Sequence, residues 1–266
     1  MNNFSKRFFF GAIYVSILIL CSTNQTYIGL LFLTVGIFGN IELIKLLDKQ
    51  GIPTDKWPSL ILGICCYISV IYPKTISIFI IGLFCYLMIK TFYTNVKSFE
   101  KIGSTLFSIV YIFVPLGLAI PIANYNDKFD SKILLSLFIL IWSSDTGAYL
   151  SGNIFGKRKL IEKISPNKTW EGFVGSMILT SVTGIIIALK YLNITQVEGM
   201  FLGVLTVCIA TFGDLFQSML KRRAKVKDSG KILPGHGGIL DRFDSILFCL
   251  PIYYVYFYFI RPIIFN

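Results

Sequence analysis

The chain has 266 residues, of which 55% are hydrophobic and 15% charged, and its mean hydropathy is +0.71. That composition excludes an ordinary soluble domain and describes a polytopic membrane protein. The formal net charge of +11 would suit a nucleic-acid binder, but the cations lie between apolar spans and not on a hydrophilic domain, so the expected partners are membrane lipids and phosphates, with no nucleic acid.

Apolar runs near 8–21, 27–47, 58–72, 75–92, 105–123, 132–151, 171–192, 198–219 and 243–260 predict an all-α integral membrane protein with about nine transmembrane helices. Lys6-Arg7 before the apolar stretch Phe8 to Cys21 has the outline of a signal peptide. The residues preceding Cys21 are bulky where processing wants small ones, and further spans follow at once, so the first span is expected to be retained. No hydropathy repeat and no soluble boundary breaks the chain, which reads as one membrane domain over 1–266. Residues 1–130 carry little readable chemistry, whereas 131–266, with motif loops at 152–170 and 220–242, are expected to be the catalytic part on the residues described below. The exception in the first half is Glu42, an acid in an apolar span, where a structural pairing and a functional role are equally open. Cys21, Cys65, Cys66, Cys85, Cys208 and Cys249 lie inside apolar runs without metal-ligand spacing and read as small hydrophobes.

Charge placement orients the spans. With the N-terminus inside, 20 of the 25 Lys and Arg residues fall on inner segments and only Lys74, Lys128, Lys132, Lys190 and Arg261 fall outside. The positive-inside rule therefore favours an N-in, C-out arrangement, in the inner membrane if the source is bacterial. In that frame Asp145 and Asp214 lie near the inner ends of inward-running spans, while Asp241 and Asp244 open the last outward one. All four acids meet at the cytoplasmic edge. Asp145 is expected ~9 Å from the end of its helix.

Three stretches carry chemistry. The first is Ser143-Ser144-Asp145-Thr146-Gly147-Ala148-Tyr149, where an acid flanked by hydroxyls can orient a metal-bound water or a nucleotide hydroxyl. The second, Ser165-Pro166-Asn167-Lys168-Thr169-Trp170-Glu171-Gly172, predicts a helix start, and Lys168 with a neighbouring hydroxyl beside a helix N-terminus makes a phosphate cradle. The third runs from Asp214 to Asp244. Lys221, Arg222, Arg223, Lys225, Lys227 and Lys231 form an anion-attracting field there, and Gly235, Gly237 and Gly238 allow close backbone approach. Asp241 and Asp244, three residues apart, share a helical face.

Ser218-x-x-Lys221-Arg222, Lys227-Asp228-x-Gly230, Pro234-x-His236-Gly237-Gly238 and Asp241-Arg242-x-Asp244 together resemble the signature of phosphatidate cytidylyltransferases, also called CDP-diacylglycerol synthases. No position in those four blocks departs from it, and the first two stretches are similar to runs of the same family. The resemblance implies a membrane enzyme that joins CTP to phosphatidate and releases CDP-diacylglycerol and pyrophosphate with a divalent metal. It implies Asp214 and Asp241 as metal ligands with Asp244 and Asp145 beside them. Magnesium is the natural ion for oxygen ligands and a triphosphate, and the resemblance implies a second cation such as K+. Lys168, Lys221, Arg222, Lys227, His236 and Arg242 are expected over the triphosphate and lipid phosphate, and Ser165, Thr169, Glu171, Ser218, Gly237 and Gly238 along the substrates. The sequence leaves room for a homodimer. A CTP-dependent enzyme on another membrane lipid, of polyprenol kinase or CDP-archaeol synthase type, shares many of these features. A transporter is the reading from another class, but it would place polar residues at mid-membrane in repeated halves.

Overall fold

The computed structural model describes residues 3–92, 96–125, 128–230 and 237–264. Each apolar run is helical. In chain order the helices are α1 (Asn3–Cys21), α2 (Gln25–Lys49), α3 (Lys56–Ile71), α4 (Ile76–Phe92), α5 (Val96–Ser108), α6 (Val114–Ala123), α7 (Lys132–Phe155), α8 (Trp170–Ile187), α9 (Gln196–Arg223), α10 (Leu240–Val255) and α11 (Arg261–Ile264). Wide π-turns at Ile109–Phe113 and Tyr256–Ile260 join α5 to α6 and α10 to α11 into continuous rods. Among the described residues seven rods are long and apolar enough to cross a membrane. The 16-residue α3 and the Gly11–Cys21 part of α1 are apolar but shorter.

Helices α7, α8 and α9 pack backbone to backbone. Lipid gives apolar side chains no reason to leave it, so helix association in a bilayer rests on close approach and dispersion, which small residues permit. On α8 the buried face is Gly172, Ser176, Thr180 and Gly184, one residue per turn. A Cβ on Gly147 of α7 would come 2.8 Å from the Ser176 Cα, and one on Gly203 of α9 would come 2.6 Å from the Thr180 carbonyl oxygen. These glycines fix the helix spacing that brings the motif stretches together.

The N-terminal helices join this group through α2, α6 and α10. Phe32 of α2 lies 6.4 Å, centroid to centroid, from both Phe138 of α7 and Phe243 of α10. Gln50, just past α2, donates from Nε2 to the Leu220 carbonyl of α9 at 3.1 Å, a second bond to an oxygen that already accepts the Ala224 amide, and so ties α2 to the end of α9.

Two local expectations need correction. Ser165–Thr169 is a β-strand, β2, paired antiparallel with β1 (Lys159–Ile161), and the helix begins only at Trp170. The backbone of 165–169 finds its partners in β1, and Thr169, in extended conformation, caps α8 by accepting from Gly172 N at 3.1 Å. Helix α7 also runs on to Phe155 because its small residues still pack on α8 there. Asp145 therefore sits ~15 Å below its helix end, deeper than the apolar run implied.

Candidate active site

The acids and cations of the three stretches converge where α7, α9 and α10 lie side by side. Asp214, half-buried in α9, receives Lys168 Nζ at 2.5 Å on Oδ2 and, more weakly, the Ser218 hydroxyl at 3.4 Å on Oδ1. Asp241, in the first turn of α10, receives Lys221 Nζ at 2.6 Å on Oδ1. Its Oδ2 accepts from Ser229 N at 2.8 Å, from Gly238 N at 3.0 Å and from the Ser229 hydroxyl at 3.0 Å. Both expected metal carboxylates are thus paired with a lysine expected on phosphate.

Two further carboxylates face the same space. Asp145 has Asp214, Lys168 and Arg242 as electrostatic neighbours, and Asp244 has Asp214, Lys221 and Asp145. Asp145 is exposed, and those neighbours put it on the wall of the site and not on the lipid face. Asp244 takes the Ser245 amide at 2.7 Å on one oxygen. Like-charged groups held this close repel, an arrangement that a bound cation relieves. Among the described residues no three His, Cys, Asp or Glu side chains enclose an ion by themselves. The set fits magnesium only as that ion is commonly held beside nucleotides, by one or two carboxylates with substrate oxygens and water completing its octahedron.

Beside Lys168 a cavity of about 270 Å³ opens among α7, the hairpin, α8 and α9, lined in part by Tyr149, Ser165, Lys168, Thr169 and Gly172. The Thr169 oxygen accepts the Gly172 amide, which leaves its O–H free to donate outward.

Other expected residues have different surroundings. Glu171 accepts from Lys157 N and Arg158 N, each at 3.1 Å, and from Arg158 Nε at 3.3 Å, so its contacts hold the turn into β1 and not a substrate. Arg222 donates from Nε to the Ile164 carbonyl at 3.4 Å and from Nη1 to the Val226 carbonyl at 3.3 Å, tying the end of α9 to the hairpin. Lys227 is exposed. Gly237 has φ +83°, and a Cβ there would lie 2.9 Å from Asp241 Oδ2, so glycine is required on both counts. His236 lies outside the described residues, as do Lys231, Pro234 and Gly235.

Sequence reading passed over Ser229, which bridges Asp241 and Glu42. It occupies the one open position between Asp228 and Gly230 of the signature. The sequence marks Glu42 as a buried acid without showing its partners. The usable signal was that a carboxylate inside an apolar helix needs several donors, and a nearby glycine-rich loop is a dense source of backbone N–H groups.

A sequence model of the Cytidylyltransferase family matches residues 5–260. A phosphatidate cytidylyltransferase of Bacillus subtilis is 37% identical over 243 residues, covering 85% of this chain and 89% of that protein. Proteins of the same name from Haemophilus influenzae and Staphylococcus saprophyticus are 44% and 40% identical over 161 residues, spanning 55% and 60% of their own lengths. The chain, a bundle of apolar helices, belongs to the cytidylyltransferase family, among the phosphatidate cytidylyltransferases.

Proposed function

We propose that this protein transfers the cytidylyl group of CTP to phosphatidate, giving CDP-diacylglycerol and pyrophosphate, at the cytoplasmic edge of the membrane. The observation that carries the reading is the double pairing of Lys168 with Asp214 and Lys221 with Asp241, with Asp145 and Asp244 as electrostatic neighbours of Asp214. A phosphatidate oxygen attacks the α-phosphorus of CTP in line with the departing pyrophosphate. That nucleophile is already an anion and needs no strong base. It needs alignment and charge neutralisation.

Lys168, Lys221 and Arg242 would supply the positive charge, the two lysines turning from their carboxylates to phosphate oxygens as the triphosphate enters. The Thr169 hydroxyl follows Lys168 at the start of α8, where the helix dipole favours an anion. Asp214 and Asp241 would hold magnesium, with Asp145 and Asp244 adjacent and available to the second, monovalent cation. When bound, the metal offsets charge on the triphosphate and on the leaving pyrophosphate.

The lipid half of the reaction has its own support. An apolar groove of about 580 Å³ runs between α5–α6, α9 and α10, walled by Phe107, Tyr111, Phe212, Phe216 and Phe248 among others. Tyr111, on the groove wall, has Asp244 as an electrostatic neighbour, which supports placing the groove near the charged site. Acyl chains lying there would stay in an apolar environment while the headgroup meets the cations.

The test is incubation of purified protein with phosphatidate, a divalent ion and CTP labelled at one phosphorus, followed by organic extraction. Label at the α position should enter the lipid phase only when phosphatidate and the ion are both present, and label at the γ position should stay aqueous. Lipid-phase γ label would identify a kinase and overturn cytidylyl transfer.

A further inference from the structure

Glu42 belongs to α2, far in sequence from the signature, and is 1% exposed. A buried carboxylate is costly unless hydrogen bonds replace its lost hydration. Its partners among the described residues are neutral and come from the catalytic loop. Ser229 Oγ donates to Oε2 at 2.8 Å, Leu240 N to Oε2 at 2.9 Å and Ile239 N to Oε1 at 3.0 Å. One side chain thus grips residues on both sides of the loop's described ends.

The same Ser229 hydroxyl stands 3.0 Å from Asp241 Oδ2. A hydroxyl has one proton, so it serves one of these carboxylates at a time, and Glu42 makes the shorter contact. The surroundings leave no slack. A Cβ on Gly238 would overlap Glu42 Oε2 and the Ser229 hydroxyl, and one on Gly230 would overlap Glu42 Oε1. The loop backbone rests directly on the Glu42 carboxylate.

We infer that Glu42 is a positioning residue for cytidylyl transfer, holding Ser229 and Ile239–Leu240 so that Asp241 and its partner Lys221 keep their places. The inference rests on the function proposed above. Glu42 touches no substrate in this role. A carboxylate is needed because three donors converge on it: glutamine offers a single acceptor oxygen and would turn its own N–H groups toward a backbone N–H.

The test compares wild-type protein, Glu42→Gln and Ser229→Ala in reconstituted vesicles, reading turnover of α-labelled CTP and amide hydrogen exchange on the same samples. Glu42→Gln should lower turnover about ten- to a hundredfold. Exchange at Ile239 and Leu240 should quicken while that of the α7–α8 contact stays unchanged. Ser229→Ala keeps the two amide contacts and should lose only a few-fold of turnover, about the value of one hydrogen bond. A purely structural Glu42 would instead loosen exchange throughout the bundle and leave turnover per folded molecule intact, which would overturn the inference. So would Glu42→Gln turnover within twofold of wild type, or reduced turnover with unchanged exchange at 239 and 240. If Glu42→Gln does not fold, Ser229→Ala decides: wild-type turnover there rejects the role. Failure of the wild type itself to move label into lipid would reject the proposed function, a separate outcome.

Discussion

At the scale of residues the site is a set of exchangeable ion pairs, and the two proposed metal ligands differ in what else they do. Asp214 meets Lys168 and, distantly, Ser218, whereas Asp241 also accepts two backbone amides and shares the Ser229 hydroxyl with Glu42. Asp214→Asn and Asp241→Asn should each reduce turnover below detection, and the double variant should be no worse, because groups acting as one unit are not additive. Their stabilities should part company. Asp241→Asn should lose about 1–3 kcal/mol, the cost of weakening buried hydrogen bonds, and Asp214→Asn less than about 1 kcal/mol. Asp228, exposed in the loop, should tolerate Asn with smaller loss of turnover. Turnover and thermal unfolding of the same purified variants check this, and an active Asp241→Asn would show that the metal has been assigned to the wrong carboxylate. The sequence made the participants legible, since acids at the edges of apolar runs need compensation. It did not show which lysine meets which acid, because the packing of α8 on α9 and of α9 on α10 sets that pairing.

At the scale of elements, the long apolar rods were readable and the hairpin between them was not. Period-free runs of Phe, Ile and Leu announce membrane helices whatever their partners. The three-residue strand Lys159–Ile161 has no such signal, and Pro166 after Ser165 imitates a helix start. What holds the hairpin is tertiary: Glu171 gathers three N–H groups of Lys157 and Arg158. Because β2 carries Lys168, Glu171→Gln should loosen the lysine's support, raising KM for CTP roughly three- to tenfold with a smaller change in kcat. Steady-state kinetics at saturating phosphatidate measure it. The apolar groove makes a second prediction at this scale. Cys208, exposed on its wall, can be enlarged without touching a charged group. Cys208→Trp should raise KM for long-chain phosphatidate several-fold and leave a short-chain analogue unaffected. Equal effects on both would place the acyl chains elsewhere.

At the scale of the whole molecule, the question is whether every charged element of the site faces one compartment. The contacts require a shared face. Arg222 at the end of α9 reaches the Ile164 carbonyl in the hairpin turn, and Lys168 of β2 reaches Asp214 of α9. The far ends of the same rods meet separately, where Glu198 at the start of α9 receives Arg261 Nε at 2.7 Å and the Tyr256 hydroxyl at 2.9 Å. That this face is the cytoplasmic one is a proposal, which rests on the 20-to-5 division of cations expected for nine spans. Single cysteines at Lys159 and Lys225, in a background freed of the native six, should therefore react with an impermeant thiol reagent only from the cytoplasmic side of sealed vesicles. A cysteine at Asp127, which lies outside the described residues, should react only from the other side. Reversal of all three would keep the site and invert the protein in the membrane, moving CTP entry to the wrong compartment. Labelling of 159 and 225 from opposite sides would be more damaging, because Arg222 and Lys168 could then not bind the hairpin to α9, and the charged site would not exist as one place.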